Sequence, residues 1–274
     1  VAILYRANWQ SRPLEEALRT QNLPYKLVGG TKFYERQEIK DLISYLRLAT
    51  NPFDLTSFRR CVNTPTRGIG PTTLAKIEAA IPENGTPLEG VAALLKAGGF
   101  SGRSQREMLR FHDLFAKAET EKRAQPLSGF IRWVLHESGL LQALVDEDTL
   151  ESKGRIENLE EFLNAASELD GLGLDGFLDR ITLMADADEV EQDARITMMT
   201  IHCAKGLEFP TVFLVGMEED VFPNRMAKED DGLEEERRLF YVAITRAQRK
   251  LFMSGARRRA AFGGPPTLGM PSRF

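Results

Sequence analysis

An α/β domain interrupted by an all-α block is the fold class this 274-residue sequence predicts. Three observations predict it. From Val1 to Pro52 short apolar runs alternate with helical patterns. From Phe53 to Val190 apolar residues recur three and four apart, with almost no period-two alternation. After Arg195 strand-like runs return. Strands alternating with helices imply a mostly parallel sheet, and its interruption implies an insertion.

The elements follow in order. "VAILYR" reads as a short buried strand, and "SRPLEEALRTQN" as a helix with Leu14, Ala17 and Leu18 at helical spacing. "YKLVGG" is a second strand, ended by Gly29 and Gly30. In "ERQEIKDLISYLRLATNP" the stripe Ile39, Leu42, Ile43, Leu46 and Leu48 predicts an amphipathic helix that Asn51-Pro52 stops. The strings "SQREMLRFHDLFAKAETEKR", "PLSGFIRWVLHESGLLQALVDE", "GRIENLEEFLNAASEL" and "LDGFLDRITLMADA" are helical, with glycine-rich breaks at "AGGFSG" and "LDGLGLDG". "RITMMTIH" and "TVFLVG" are strands, "LEEERRLFYVAITRAQRK" a helix and "LFMSGA" a strand. The expected division is a first α/β part over 1–100, an inserted helical block over 101–190 and a second α/β part over 191–274.

Composition narrows the function classes. At 42% hydrophobic and 28% charged residues the chain is an ordinary globular composition, and its net charge of −4 carries no overall nucleic-acid signature. The distribution is sharper. Glu218 to Glu236 holds nine acidic and two basic residues, whereas Arg237 to Phe274 holds nine Arg or Lys and no acid. Such asymmetry suits either a phosphate-binding surface or a solvated basic tail. Two distant cysteines, Cys61 and Cys203, fit a reducing, cytoplasmic setting and argue against a disulfide framework or zinc site. No apolar run has the ~18 residues of a membrane span. A first residue already inside a strand suggests a piece of a longer chain.

The segment "HCAKGLE" joins two apolar strands, an arrangement that puts polar side chains at the carboxyl edge of a parallel sheet, where ligands bind. Gly206 permits close backbone approach, Lys205 suits a phosphate, Glu208 suits hydroxyls and His202 suits either. An ordinary strand connection fits the segment equally. In the last helix Arg246 has no nearby acid following it, which is what an arginine stabilising a transferred phosphoryl group requires; a solvated helix face is the alternative. No G-x-x-x-x-G-K-[ST] phosphate loop occurs; "GGTK" at Gly29 to Lys32 has the wrong spacing.

Several strings occur together in one order: "VAILYRANWQSR", "KFYERQEIKDLISYLRL", "NTPTRGIG", "TMMTIHCAKGLEFPTVFLVGMEEDVFP" and "LEEERRLFYVAITRA". In this the chain resembles the carboxy-terminal half of superfamily 1 DNA helicases of the UvrD/Rep/PcrA type. The resemblance implies a RecA-like second motor domain (2A) with an inserted helical subdomain (2B). It implies ATP as cofactor, with Mg²⁺ ligands in a first motor domain of the same chain, and no hydrolysis by this part alone. The implied partners are that motor domain, single-stranded DNA and the junction between single and double strand, and the implied movement is 3′ to 5′. A helicase-nuclease subunit and a non-catalytic binding module are the alternatives.

By the same resemblance Glu208 contacts the nucleotide ribose, while His202 and Lys205 face single-stranded DNA. Arg246 and Arg6 both reach the γ-phosphate, and Tyr5 stacks on adenine. Arg67, Gly68, Ile69 and Gly70 form a helix-hairpin-helix-like turn whose successive N–H groups approach a DNA phosphate. "SGARRRAAFGG" corresponds to a hairpin whose tip aromatic, here Phe262, covers the end of the duplex.

Overall fold

The computed structural model describes residues 1–186, 194–227, 230–259 and 267–274. These form two compact units, one of Val1–Arg36 with Met184–Phe274 and one of Gln37–Leu183.

The first unit is built on β1 (Ala2–Tyr5), α1 (Ser11–Thr20) and β2 (Tyr25–Val28). It resumes after the insertion with β3 (Ile196–Thr200), β4 (Phe209–Val215), α11 (Asp230–Ile244) and β5 (Ala247–Ser254). The five strands form one sheet in the order β2-β3-β1-β4-β5, every pair parallel. Alternation along the strands fills both faces. Tyr5, Tyr25 and Met198 pack with Leu14 and Leu18 of α1 on one face. Ala2, Leu4, Met199, Val212 and Leu214 pack with Leu239 and Ala243 of α11 on the other, together with Ile201 and Ala204 of the β3–β4 connection. A two-stranded antiparallel ribbon, β6 (Arg258–Arg259) and β7 (Thr267–Leu268), completes the unit. This is the α/β fold the alternating pattern predicted.

The second unit is all helical: α2 (Gln37–Thr50), α3 (Leu55–Cys61), α4 (Pro71–Ala79), α5 (Pro87–Lys96), α6 (Gly102–Ala124), α7 (Leu127–Glu137), α8 (Leu140–Glu147), α9 (Leu150–Ser167) and α10 (Gly173–Asp186). The last residues of α10 pass into the first unit. Side chains define the starts: Asp54 accepts from the Ser57 N–H at 2.9 Å, and Thr86 with Glu89 forms a reciprocal cap. Tyr45, Phe58, Phe111 and Phe115 cluster with ring centroids 5.0–6.1 Å apart.

Three expectations change. The units part at Arg36/Gln37 and Leu183/Met184, not near 100 and 190. The stripe of α2 is fully legible, but sequence order does not say which surface receives it, and it buries with α3, α6, α7 and α9. The long helix expected over "PLSGFIRWVLHESGLLQALVDE" breaks at Gly139, whose φ of +79° is left-handed. Finally, α11 ends at Ile244 rather than running through Lys250. Thr245 donates its hydroxyl to the carbonyls of Tyr241 and Val242, closing the last turn, and β5 pairs with β4 from Ala247 onward.

Candidate functional site

The connection from β3 to β4 decides the geometry. β1 lies between these two strands and all three are parallel, so residues 201–208 run back along the whole sheet. They do not stay at its carboxyl edge, as expected from sequence. Ile201 and Ala204 anchor the segment in the core, while His202, Lys205, Gly206, Leu207 and Glu208 are exposed. Gly206 has φ +84° with open space on its side-chain face, so its need for glycine is conformational. His202 therefore sits at the carboxyl edge and Glu208 at the amino edge.

The two arginines separate in the same way. Leu4 pairs with Leu214, so Arg6 follows β1 level with Gly216; Phe209 pairs with Ala247, so Arg246 lies level with Glu208. Arg6 thus follows the carboxyl end of β1 and Arg246 precedes the amino end of β5.

At the amino edge, Arg246 caps the carboxyl end of α11. Its Nε donates to Val242 O at 2.9 Å, Nη1 to Leu207 O at 3.0 Å and Nη2 to Thr245 Oγ1 at 2.9 Å. These partners are neutral, so the guanidinium keeps its full charge, and its orientation is fixed with two of five N–H donors to spare. The Phe209 N–H donates to Arg246 O at 2.9 Å, locking the turn to β4. Beside it Glu208 accepts from Gln248 Nε2 at 3.2 Å and retains acceptor capacity for hydroxyls. This edge suits an anion flanked by a polyol. Among the described residues no group of three or more His, Cys, Asp or Glu could hold a metal ion.

At the carboxyl edge, Arg6 forms a forked ion pair with Glu236 of α11: Nε lies 2.9 and 3.1 Å from the two carboxylate oxygens and Nη2 lies 2.6 Å from Oε1. Glu236 is 2% exposed and also accepts from the Asn224 N–H at 3.1 Å. His202 faces this cluster. Although part of the residue is open to solvent, partial desolvation of the ring, then the positive charge of Arg6, hold its imidazole below its ordinary pKa, against the pull of Glu236 and Glu235.

Other expected site residues fall elsewhere. Tyr5 is 2% exposed and its ring belongs to the core under α1; burial drives its phenol far above the ordinary range. A ring so placed is not presented to an adenine. Arg67 is 4% exposed, and its guanidinium donates to the carbonyls of Cys61, Val62, Thr64, Pro65 and Ser138 and to the Tyr45 hydroxyl. It stitches the helical unit together and has no reach to a phosphate. The N–H groups of Arg67 and Ile69 are taken by Asn63 Oδ1, at 2.8 and 3.1 Å, and Ile69 is buried. Gly68, with φ +76° and Ser104 Oγ 2.6 Å from where a Cβ would stand, and Gly70, which precedes α4, shape the turn. Phe262 lies outside the described residues. In β6 Arg259 forks onto Glu218, at 2.8 and 3.0 Å, and lies 5.0 Å over the ring of Trp9.

Sequence reading missed Glu236, Gln248 and Trp9. Glu236 was visible only as one member of the acidic run, and nothing in the sequence distinguishes it from its exposed neighbours Glu234 and Glu235.

Comparison with known proteins bears on this geometry. The chain is 41% identical over 283 aligned positions to the ATP-dependent DNA helicase PcrA of Staphylococcus aureus (strain Mu50), an alignment covering all of this chain and 39% of the helicase. It is 42% identical, with the same coverage, to PcrA of Staphylococcus epidermidis (strain RP62A). The chain thus spans about two fifths of the length of these relatives. The UvrD-like helicase C-terminal domain matches residues 1–88 and 103–258, on both sides of the boundaries of the helical unit, and the chain belongs to that family.

Proposed function

We propose that this chain is the second motor half of an ATP-dependent 3′-to-5′ DNA helicase, with its amino edge serving ATP and its carboxyl edge serving single-stranded DNA. The observation that carries the reading is the 201–208 crossover, which ends beside Arg246 at one edge and beside Arg6 at the other. One short segment borders both sites, so a shift at either is felt by the other.

At the amino edge Arg246 offers a fixed, uncompensated guanidinium to the charge that develops on the γ-phosphoryl oxygens. Glu208 accepts from the ribose hydroxyls. A phosphate loop, Mg²⁺ ligands and a water-positioning residue fall to a first motor domain of the full-length protein. At the carboxyl edge Arg6, steered by Glu236, offers its remaining N–H groups to a DNA phosphate, with His202 beside it and Lys205 exposed on the crossover. Phe262 covers the end of the duplex at the junction.

The test compares the full-length protein with this chain alone. The full-length protein should hydrolyse ATP faster with single-stranded DNA and separate duplexes carrying a 3′ tail. This chain, given ATP, Mg²⁺ and DNA, should release no phosphate above background. Hydrolysis by the chain alone, or unwinding only from a 5′ tail, overturns the reading.

A further inference from the structure

The pairing of β4 with β5 is irregular at one place. Phe209 pairs with Ala247 and Thr211 with Lys250, so β4 advances two residues where β5 advances three. The extra residue lies within Gln248–Arg249. Bulges are rare in parallel pairs; they occur at sheet edges and beside functional sites, where they re-aim a side chain. β5 is an edge strand, and the side chain at its bulge that meets a site residue is Gln248. Its Nε2 donates to Glu208 Oε2 at 3.2 Å, one residue before β4 begins.

The backbone around this contact is fixed. The Phe209 N–H donates to Arg246 O at 2.9 Å, and Arg246 Nη1 donates to Leu207 O at 3.0 Å. The segments 207–209 and 246–248 are therefore joined on both sides of the Glu208–Gln248 pair. Glu208 forms no ion pair among the described residues, so Gln248 is the group that orients its carboxylate.

We propose that Gln248 is a positioning residue for sugar recognition: it holds one oxygen of Glu208 so that the other is aimed at a ribose hydroxyl of the bound nucleotide. This rests on the assignment of ATP to Arg246 and Glu208. An exposed glutamate left to itself samples many rotamers, and fixing it only when the sugar arrives costs affinity; a carboxylate held in advance avoids that cost. The amide is neutral, so Glu208 keeps its negative charge and its outward oxygen remains a charge-assisted acceptor, the stronger kind.

The experiment uses the full-length protein with saturating single-stranded DNA and compares kcat/KM for ATP, 2′-deoxy-ATP and 3′-deoxy-ATP. The two analogues show which hydroxyl is read. Wild type should prefer ATP to one of them by about tenfold, as for a hydroxyl on a charged acceptor, and Glu208→Ala should abolish that preference. Gln248→Ala should lower the preference by about fourfold or more, and Gln248→Glu, which sets a second carboxylate against Glu208, should lower it as far. Gln248→Lys keeps a donor within reach of Glu208 and should stay within about twofold of wild type. Each preference is a ratio between nucleotides in one protein, so a general loss of folded enzyme cancels. Undiminished preference in Gln248→Ala overturns the proposal. So does an equal loss in the alanine and lysine variants, which makes Gln248 a packing residue of the bulge only. A wild-type protein indifferent to both missing hydroxyls, or a preference that survives Glu208→Ala, overturns the assignment of the ribose to Glu208 and the role of Gln248 with it.

Discussion

The two edges of the sheet each present an arginine, and they hold it in opposite ways. Arg246 is fixed by carbonyls and a hydroxyl, all neutral, at the negative end of a helix. Arg6 is fixed by a buried carboxylate. The first arrangement leaves a full positive charge aimed outward. The second leaves a nearly neutral pair whose outward value is directional hydrogen bonding. Neutralising charge that appears during a reaction needs the first; gripping and releasing a succession of phosphates is better served by the second, because a weakly attractive contact does not arrest movement.

The largest effect that could break this contrast is at the amino edge. In the full-length protein Arg246→Ala should lower kcat for DNA-stimulated ATP hydrolysis by roughly 10³-fold, about 4 kcal/mol of barrier. Single-strand affinity without nucleotide should stay within a few-fold. Steady-state turnover checks it, and a kcat near wild type makes Arg246 a helix cap only.

A smaller effect sharpens the other half. Arg6→Lys keeps the charge beside Glu236 but loses the planar fork. Single-strand affinity should fall about tenfold, about 1.4 kcal/mol, while the slope of log affinity against log salt stays as in wild type, because no charge is lost. Titration of labelled single-stranded DNA at several salt concentrations reads both. Unchanged affinity would mean that Arg6 acts as a point charge and that its fork does not matter. Arg6→Ala is less informative, since it leaves Glu236 buried without its partner at a cost of about 3–5 kcal/mol of stability.

Much of the fold was legible because periodicity reports which face is buried. The stripe of α2 and the apolar runs of all five strands were read at nearly their observed positions, whereas in α1 Leu14 and Leu18 pack on the sheet only in part, Ala17 is exposed and the buried residues are Ser11, Arg12 and Glu15. What periodicity cannot report is the destination of a face. Thus α2, with an unambiguous stripe, was grouped with the sheet although it buries among helices. The site shows the same limit. Motif strings singled out Arg6, Arg246, His202 and Glu208, but the opposite ends of a parallel sheet are distinguished only by strand register. Of the other residues singled out, strand alternation turns Tyr5 into the core and a ring of backbone carbonyls claims Arg67.

His202 gives the smallest effect and tests whether the carboxyl edge is poised near neutrality. Partial desolvation and the Arg6 charge hold its imidazole below the ordinary value of about 6.5, so it is neutral at pH 7.5. The sign has two consequences. The unfolded chain takes up the proton first as pH falls, so the contribution of His202 to stability is present above about pH 6.5 and is lost as pH falls through the depressed folded value. A bound phosphate favours the charged form, so single-strand affinity should instead gain from His202 as pH falls through that same range. The gain should be only a few-fold, because Arg6 already opposes a second positive charge beside it. The measurement is binding of labelled single-stranded DNA at constant ionic strength from pH 8 to 5.5, for wild type and His202→Asn, so that every other titrating group cancels in the difference. The two curves should run parallel above pH 7 and diverge below about 6.5, with wild type the tighter. Parallel curves over the whole range would show that His202 meets no phosphate, and the carboxyl edge would then depend on Arg6 and Lys205 alone.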